Sequence, residues 1–185
     1  FYYSSLLTLQ MYYDQFEEVS SSDKGISISR SYALVEGTPR ADGAYNVGDI
    51  VRATVRVTSD SDKGYIYVTS PIPAGFEAIN YRLNTVQYTG GYEQFRWSHW
   101  GYNRKDLRDD RVDYFITYVY QGAREFSYLM RAVTPGEFSV LPAEASPMYR
   151  EDIWGRSSSE RIRVEPERLV QRPVLSGDLD NDCRI

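Results

Sequence analysis

The chain has 185 residues, a formal net charge of −5, and aromatic residues at 15% of its positions. This length suits one domain of ordinary size, the acidic balance gives no positive field for nucleic acid, and the chain lacks the run of about 18 apolar residues that a membrane-spanning helix needs. The single cysteine, Cys183, excludes an internal disulfide and a cysteine-based zinc cluster, and the single histidine, His99, excludes a histidine-rich metal site.

The first half of the chain predicts strands separated by turn-rich connections. An aromatic strand over residues 2–13 and a polar linker over residues 14–24 come first. Residues 25–34 and 49–60 alternate between two kinds of side chain, and a period of two indicates strands with one buried face. A turn over residues 59–64 then leads into a return strand. One face of the first alternating strand carries Ile26, Ile28, Arg30 and Tyr32, and one face of the second carries Val51, Ala53, Val55 and Val57.

The second half of the chain predicts an edge segment, a long loop and a hairpin. Two prolines in residues 71–80 withhold the amide hydrogens that a central strand donates, so this segment belongs at a sheet edge or crossover. One long aromatic loop, residues 81–106, precedes a predicted hairpin of residues 107–120 with residues 124–133. A loop over residues 143–159 separates the last two short strands. Eight or nine short strands in all predict an all-β, antiparallel β-sandwich of two sheets.

Residue types that support catalysis or metal binding occur without the necessary context. His99 lies in a tryptophan-flanked loop, and the chain has no Gly-x-Ser-x-Gly elbow for a nucleophile. Asp109 and Asp110 stand between two arginines, which favours charge pairing over acid–base or calcium chemistry. The alternating acidic residues of the tail lack the glycine and glutamate of a calcium loop (Asp178, Asp180 and Asp182). We therefore predict no catalytic residue, no cofactor and no metal site.

Two loops carry apolar side chains that suggest binding. Tyr92, Trp97 and Trp100 can form an aromatic platform that stacks on sugars, or they can fold over the end of the sandwich. Met148 and Tyr149 can fill a cavity in another domain, or they can pack beneath their own loop. The residues alone favour the second interpretation for the Met148–Tyr149 pair.

The order of several motifs resembles the C-terminal macroglobulin-like domain of bacterial alpha-2-macroglobulins, the counterpart of the receptor-binding domain of the animal proteins. The resemblance covers roughly residues 25–164 and is most specific in residues 131–157, which contain TPGEF, LPAEA, PMY and GRS. It implies that residues 1–19 include the last strand of a preceding CUB-like domain of a larger chain; the alternative for these residues is an N-terminal strand of the sandwich. Residues 20–165 are then a macroglobulin-like or immunoglobulin-like sandwich, and residues 166–185 are a polar tail.

The resemblance also implies a function. Bacterial alpha-2-macroglobulins are large periplasmic proteins, usually anchored as lipoproteins, that trap proteases after cleavage of a bait region. A Cys–Gln thioester in a neighbouring domain then acylates the protease, and a loop of the C-terminal domain shields that bond until cleavage. The matching residues here are Met148 and Tyr149.

The expected partners follow from this resemblance. They are the thioester and CUB-like domains of the same chain and, through the full-length protein, target proteases; nucleic acid and membrane contact are not expected for this domain. The domain itself is expected to be non-enzymatic. The alternative is a surface or adhesin sandwich that binds a glycan or protein through the loop of Tyr92, Trp97 and Trp100.

Overall fold

The computed structural model describes residues 18–80 and 102–166, and every helix or strand element in these two ranges is a β-strand. The strands are β1 (Ser22–Lys24), β2 (Ile26–Glu36), β3 (Tyr45–Asn46), β4 (Ile50–Ser59), β5 (Lys63–Pro71), β6 (Phe76–Ala78), β7 (Arg104–Leu107), β8 (Arg111–Val119), β9 (Gly122–Ala132), β10 (Gly136–Val140), β11 (Glu144–Pro147), β12 (Trp154–Arg156) and β13 (Glu160–Glu165). Within the same ranges there is no helix long and apolar enough to cross a membrane.

The strands form two main sheets and a small third one. The larger main sheet has the order β1-β12-β11-β5-β8-β7, and the other has the order β2-β4-β9-β6. The third sheet has the order β10-β13-β3, in which β13 and β3 pair in parallel while the remaining strand pairs are antiparallel. The predicted all-β, antiparallel β-sandwich is confirmed.

The core lies between the two main sheets, where the alternating strands present their apolar faces to each other. The predicted face of β4 is fully buried, and the inner face of β9 packs against that of β8. The rings of Tyr114 and Phe126 lie 5.2 Å apart across this space, and the hydroxyls of Ser70 and Tyr128 are 3.1 Å apart. Removing side chains of this size from water drives the two sheets together, at about 1.5–3 kcal/mol for each fully buried one.

The predicted pairing of residues 107–120 with residues 124–133 is wrong. β8 pairs with β5 and β7, whereas β9 pairs with β4 and β6, so the turn between them crosses from one sheet to the other. The turn between β4 and β5 also crosses from one sheet to the other, because β5 joins the sheet opposite β4. Asp62, in the turn between β4 and β5, links this crossover to the one between β8 and β9. It accepts hydrogen bonds from the Gln121 amide at 2.8 Å and the Tyr118 hydroxyl at 3.0 Å.

Several segments predicted as irregular contain short strands. Residues 22–24 of the predicted linker form β1, residues 104–107 of the aromatic loop form β7, and the loop over residues 143–159 contains β11 and β12. Their sequences lack a clear apolar alternation, so the pattern does not predict them. These segments become strands because neighbouring strands supply backbone hydrogen-bond partners. The predicted strand over residues 2–13, most of the aromatic loop and most of the tail lie outside the described residues.

Candidate functional site

The turn between β11 and β12 presents Met148 and Tyr149 to solvent. Their exposed fractions are 44% and 79%. The expectation from the residues alone, that this pair packs beneath its own loop, is wrong. The turn is flanked by Pro147, which is buried, and by Ile153, which packs against the core.

Hydrogen bonds within the turn hold its backbone in a compact shape. The Arg150 amide donates to the Pro147 carbonyl at 3.4 Å, and the Ile153 amide donates to the Arg150 carbonyl at 3.3 Å. The Arg150 guanidinium donates two hydrogen bonds to Asp152, at 2.9 and 2.8 Å, and these lower the pKa of that carboxyl to about 2. Both side chains are more than half exposed, so solvent screens the ion pair and its main effect is on loop shape.

Tyr65 of β5 contacts the same turn from the neighbouring strand. Its carbonyl accepts a hydrogen bond from the Met148 amide at 2.8 Å. Its ring lies edge-on to that of Tyr149, with the centroids 5.6 Å apart and an angle of 79° between the planes. Sequence reasoning missed this residue, since nothing in the spacing of Tyr65 and Tyr149 indicates that their strands meet.

The far side of the turn is fixed where β12 passes close to β2. A Cβ atom built on Gly155 would lie 2.1 Å from the carbonyl oxygen of Ile26, so the position accepts no larger residue without a backbone shift. Gly155 is also paired with Ala145 of β11 and Asp23 of β1. The turn therefore starts and ends on strands that are packed in the sheet. We call residues 148–152, which begin with Met148 and Tyr149, the docking loop.

One of the two acidic residues before β8, Asp110, forms an ion pair. The carboxylate of Asp110 lies 3.1 Å from the Arg111 guanidinium, which confirms the predicted charge pairing for this residue. The sequence reading missed Asp113, a carboxylate that is only 1% exposed and accepts a hydrogen bond from the Tyr67 hydroxyl at 2.8 Å. Arg108 and Arg111 pair with the same carboxylate at 3.1 and 3.3 Å. The spacing of Arg111 and Asp113, two residues apart on one strand face, is the signal that indicates this site.

The predicted aromatic platform falls on residues that the structure does not describe. Tyr92, Trp97 and Trp100 lie outside the described residues, as do His99 and Cys183. Among residues 18–80 and 102–166, no group of three or more His, Cys, Asp or Glu side chains is arranged to hold a metal ion.

Curated sequences similar to this chain include bacterial alpha-2-macroglobulins. The protein named alpha-2-macroglobulin of Thermotoga maritima is 31% identical over 126 residues, which is 66% of this chain and 8% of that protein. The one from Pasteurella multocida is 27% identical over 157 residues, which is 84% of this chain and 8% of that protein. The chain therefore spans less than a tenth of the length of these relatives.

Solved structures show the same fold. Trypsin-activated alpha-2-macroglobulin from Escherichia coli matches with a TM-score of 0.69 and 21% identity, over 80% of this chain and 11% of that one. Salmonella alpha-2-macroglobulin reacted with methylamine matches with a TM-score of 0.66 and 21% identity, over 82% of this chain and 10% of that one.

A family model assigns the chain directly. The model described as the bacterial alpha-2-macroglobulin MG10 domain matches residues 25–152, a range that ends with the docking loop. This match covers most of the chain and includes the strands of both main sheets except β1 and β12. The chain belongs to the bacterial alpha-2-macroglobulin MG10 domain family.

Proposed function

We propose that this chain is a non-enzymatic domain of an alpha-2-macroglobulin-like protease inhibitor and that its docking loop shields a thioester in a neighbouring domain of the same protein. The observation that carries the proposal is the exposure of Met148 and Tyr149 on a turn flanked by Pro147, which is buried, and by Ile153, which packs against the core. Exposed apolar side chains on a turn of fixed shape are suited to enter a cavity in a partner.

The chemistry of a thioester explains why such side chains are useful. The thioester carbonyl is an electrophile that water and amines attack, so it survives only where they are excluded. The Met148 thioether is flexible and fills irregular space, and the Tyr149 ring adds a rigid apolar face. Neither side chain offers a strong base that would promote hydrolysis.

The interface must also open. Cleavage of the bait region has to expose the thioester, so the domain contact is expected to be of moderate size and to exchange between two arrangements. An exposed loop between two strands of a sheet meets this need better than a buried strand, because undocking it leaves the sandwich core intact.

The first prediction concerns Tyr149 in the full-length protein that contains this chain. Tyr149→Ala should speed the reaction of methylamine with the thioester by roughly two- to tenfold, the loss expected from one aromatic contact. Thiol release measures this rate. The control is Leu141→Ala, another exposed apolar side chain, at 68% exposure, which should leave the rate unchanged.

Two results would contradict the proposal. One is an unchanged rate in both Tyr149→Ala and Met148→Ala, and the other is a wild-type protein that releases no thiol with methylamine. Leu141 is a suitable control because it lies far from Tyr65. Arg30 donates hydrogen bonds to the carbonyls of both Leu141 and Pro71, and Pro71 is at the opposite end of β5 from Tyr65. These ends are about 20 Å apart for an extended strand.

The cellular setting forms part of the same proposal. The chain corresponds to 8% of its Thermotoga maritima relative, which supports a place among other domains in one long chain. We propose that these neighbours include the thioester and CUB-like domains, and that target proteases are reached through the full-length protein. We propose the cell envelope, with the protein anchored as a periplasmic lipoprotein. Fractionation of cells that express the full-length protein tests this, and recovery of the protein in the cytoplasmic fraction would contradict it.

A further inference from the structure

Tyr65 adopts a backbone conformation that a tyrosine rarely takes. Its φ is 55°, and it is the one non-glycine residue with positive φ in the described ranges. In this left-handed region the Cβ atom crowds the neighbouring carbonyl, so glycine usually occupies such positions. The other residues of β5 are all registered against β8, and only Tyr65 is absent from that register. Such conformations persist where the surroundings fix them, often at functional sites.

Burial does not account for a tyrosine at this position. The Tyr65 side chain is 54% exposed, whereas its neighbour Ile66 is completely buried in the core. What Tyr65 does provide is two contacts to the docking loop, one from its carbonyl to the Met148 amide and one from its ring to Tyr149. The two contacts act on consecutive residues of the loop, one on the backbone and one on a side chain.

We propose that Tyr65 is a positioning residue for the docking loop, and that it orients the Tyr149 ring for entry into the thioester domain. This inference rests on the proposed function. The hydrogen bond fixes the start of the loop beside β5, and the edge-on ring contact restricts the rotation of a side chain that is 79% exposed. A ring that is already oriented loses less conformational entropy when it docks.

Two substitutions in the full-length protein separate this role from a structural one. Tyr65→Gly removes the ring and relieves the left-handed strain, so the unfolding temperature of the domain should stay the same or rise. The methylamine reaction should nevertheless become faster, by roughly two- to tenfold, because the aromatic pair is lost. Tyr65→Phe keeps the ring and should retain the wild-type rate.

A double variant shows whether Tyr65 acts through Tyr149. If it does, Tyr65→Gly combined with Tyr149→Ala should react no faster than Tyr149→Ala alone. Rates that multiply in the double variant would mean that Tyr65 shields independently, which overturns the positioning role. An unfolding temperature that falls in Tyr65→Gly in step with the faster reaction would assign Tyr65 a structural role and also overturn it.

The outcomes distinguish this inference from the proposed function. A faster reaction in Tyr149→Ala with a wild-type rate in Tyr65→Gly overturns the positioning role alone. A wild-type rate in Tyr149→Ala, Met148→Ala and Tyr65→Gly contradicts the shielding function itself.

Discussion

Arg30 shows how a charged side chain is accommodated inside this sandwich. Its side chain is fully buried, and its guanidinium donates to the carbonyls of Pro71 at 3.1 Å and Leu141 at 2.8 Å. Glu160 lies 3.7 Å from its Nε atom, and the Tyr32 ring lies 5.4 Å from its central carbon. A buried cation requires this many partners, since an unpaired one would be costly.

Glu160 provides a prediction about pH. Burial raises the pKa of this carboxyl above 4.5, and the nearby Arg30 only partly opposes the effect. A raised pKa means that the folded state binds the proton more tightly than the unfolded state does, so this group makes the free energy of unfolding fall as pH rises above 4.5. Glu160→Gln should remove that fall and therefore gain stability relative to wild type between pH 4 and pH 7.

Urea unfolding of both proteins at several pH values measures this effect. Glu125→Gln is the control, because its carboxylate is exposed and pairs only at the surface with Arg56. That change should alter the free energy of unfolding by less than about 0.5 kcal/mol. If the free energies of unfolding of Glu160→Gln and wild type differ by the same amount at every pH in this range, the raised pKa of Glu160 is contradicted.

At the scale of elements, the contact between β12 and β2 decides how the docking loop is anchored. Gly155→Ala should lower the free energy of unfolding by about 2–3 kcal/mol, because the new methyl group meets the Ile26 backbone. Gly64→Ala is the matched control, since its Cβ would have an ordinary contact of 3.5 Å with the Thr117 carbonyl. It should change stability by about 1 kcal/mol or less. Equal effects of the two substitutions in urea unfolding would show that Gly155 does not fix the strand.

The sequence predicts strand faces well and strand partners poorly. The buried face of β4 is evident from its alternation, and Arg30 is buried with Ile26 and Ile28 as the pattern indicates. The pattern does not distinguish a hairpin from a crossover, because β8 and β9 turn their apolar faces to one core from opposite sheets. The predicted hairpin therefore has the right strands with the wrong pairing.

The candidate site was only partly predictable for the same reason. Met148 and Tyr149 were identified through a resemblance in motif order, while their exposure is evident only from the structure. Tyr65 is more than eighty positions away in sequence, and only the pairing of β5 with β11 brings it to the loop. Contacts of this kind depend on register, which local sequence does not encode.

At the scale of the whole molecule, the sandwich acts as a rigid support with the docking loop on one sheet. β5 and β11 pair over four residues that end at Pro147, so the loop leaves the sheet directly beside Tyr65. The core beneath is continuous across both main sheets, and this limits movement of the loop relative to the rest of the domain. The proposed docking and undocking would then move the domain as a unit.

The most direct test of the account is photo-crosslinking from position 149 in the full-length protein, with benzoylphenylalanine in place of Tyr149. We expect a cross-link to the thioester domain of the same chain, identified by mass spectrometry, that disappears after a protease cleaves the bait region. The same probe at position 141, where Leu141 is 68% exposed, should give no such cross-link. Absence of the cross-link from position 149 in the uncleaved protein, or equal yields from both positions, would contradict docking through this loop.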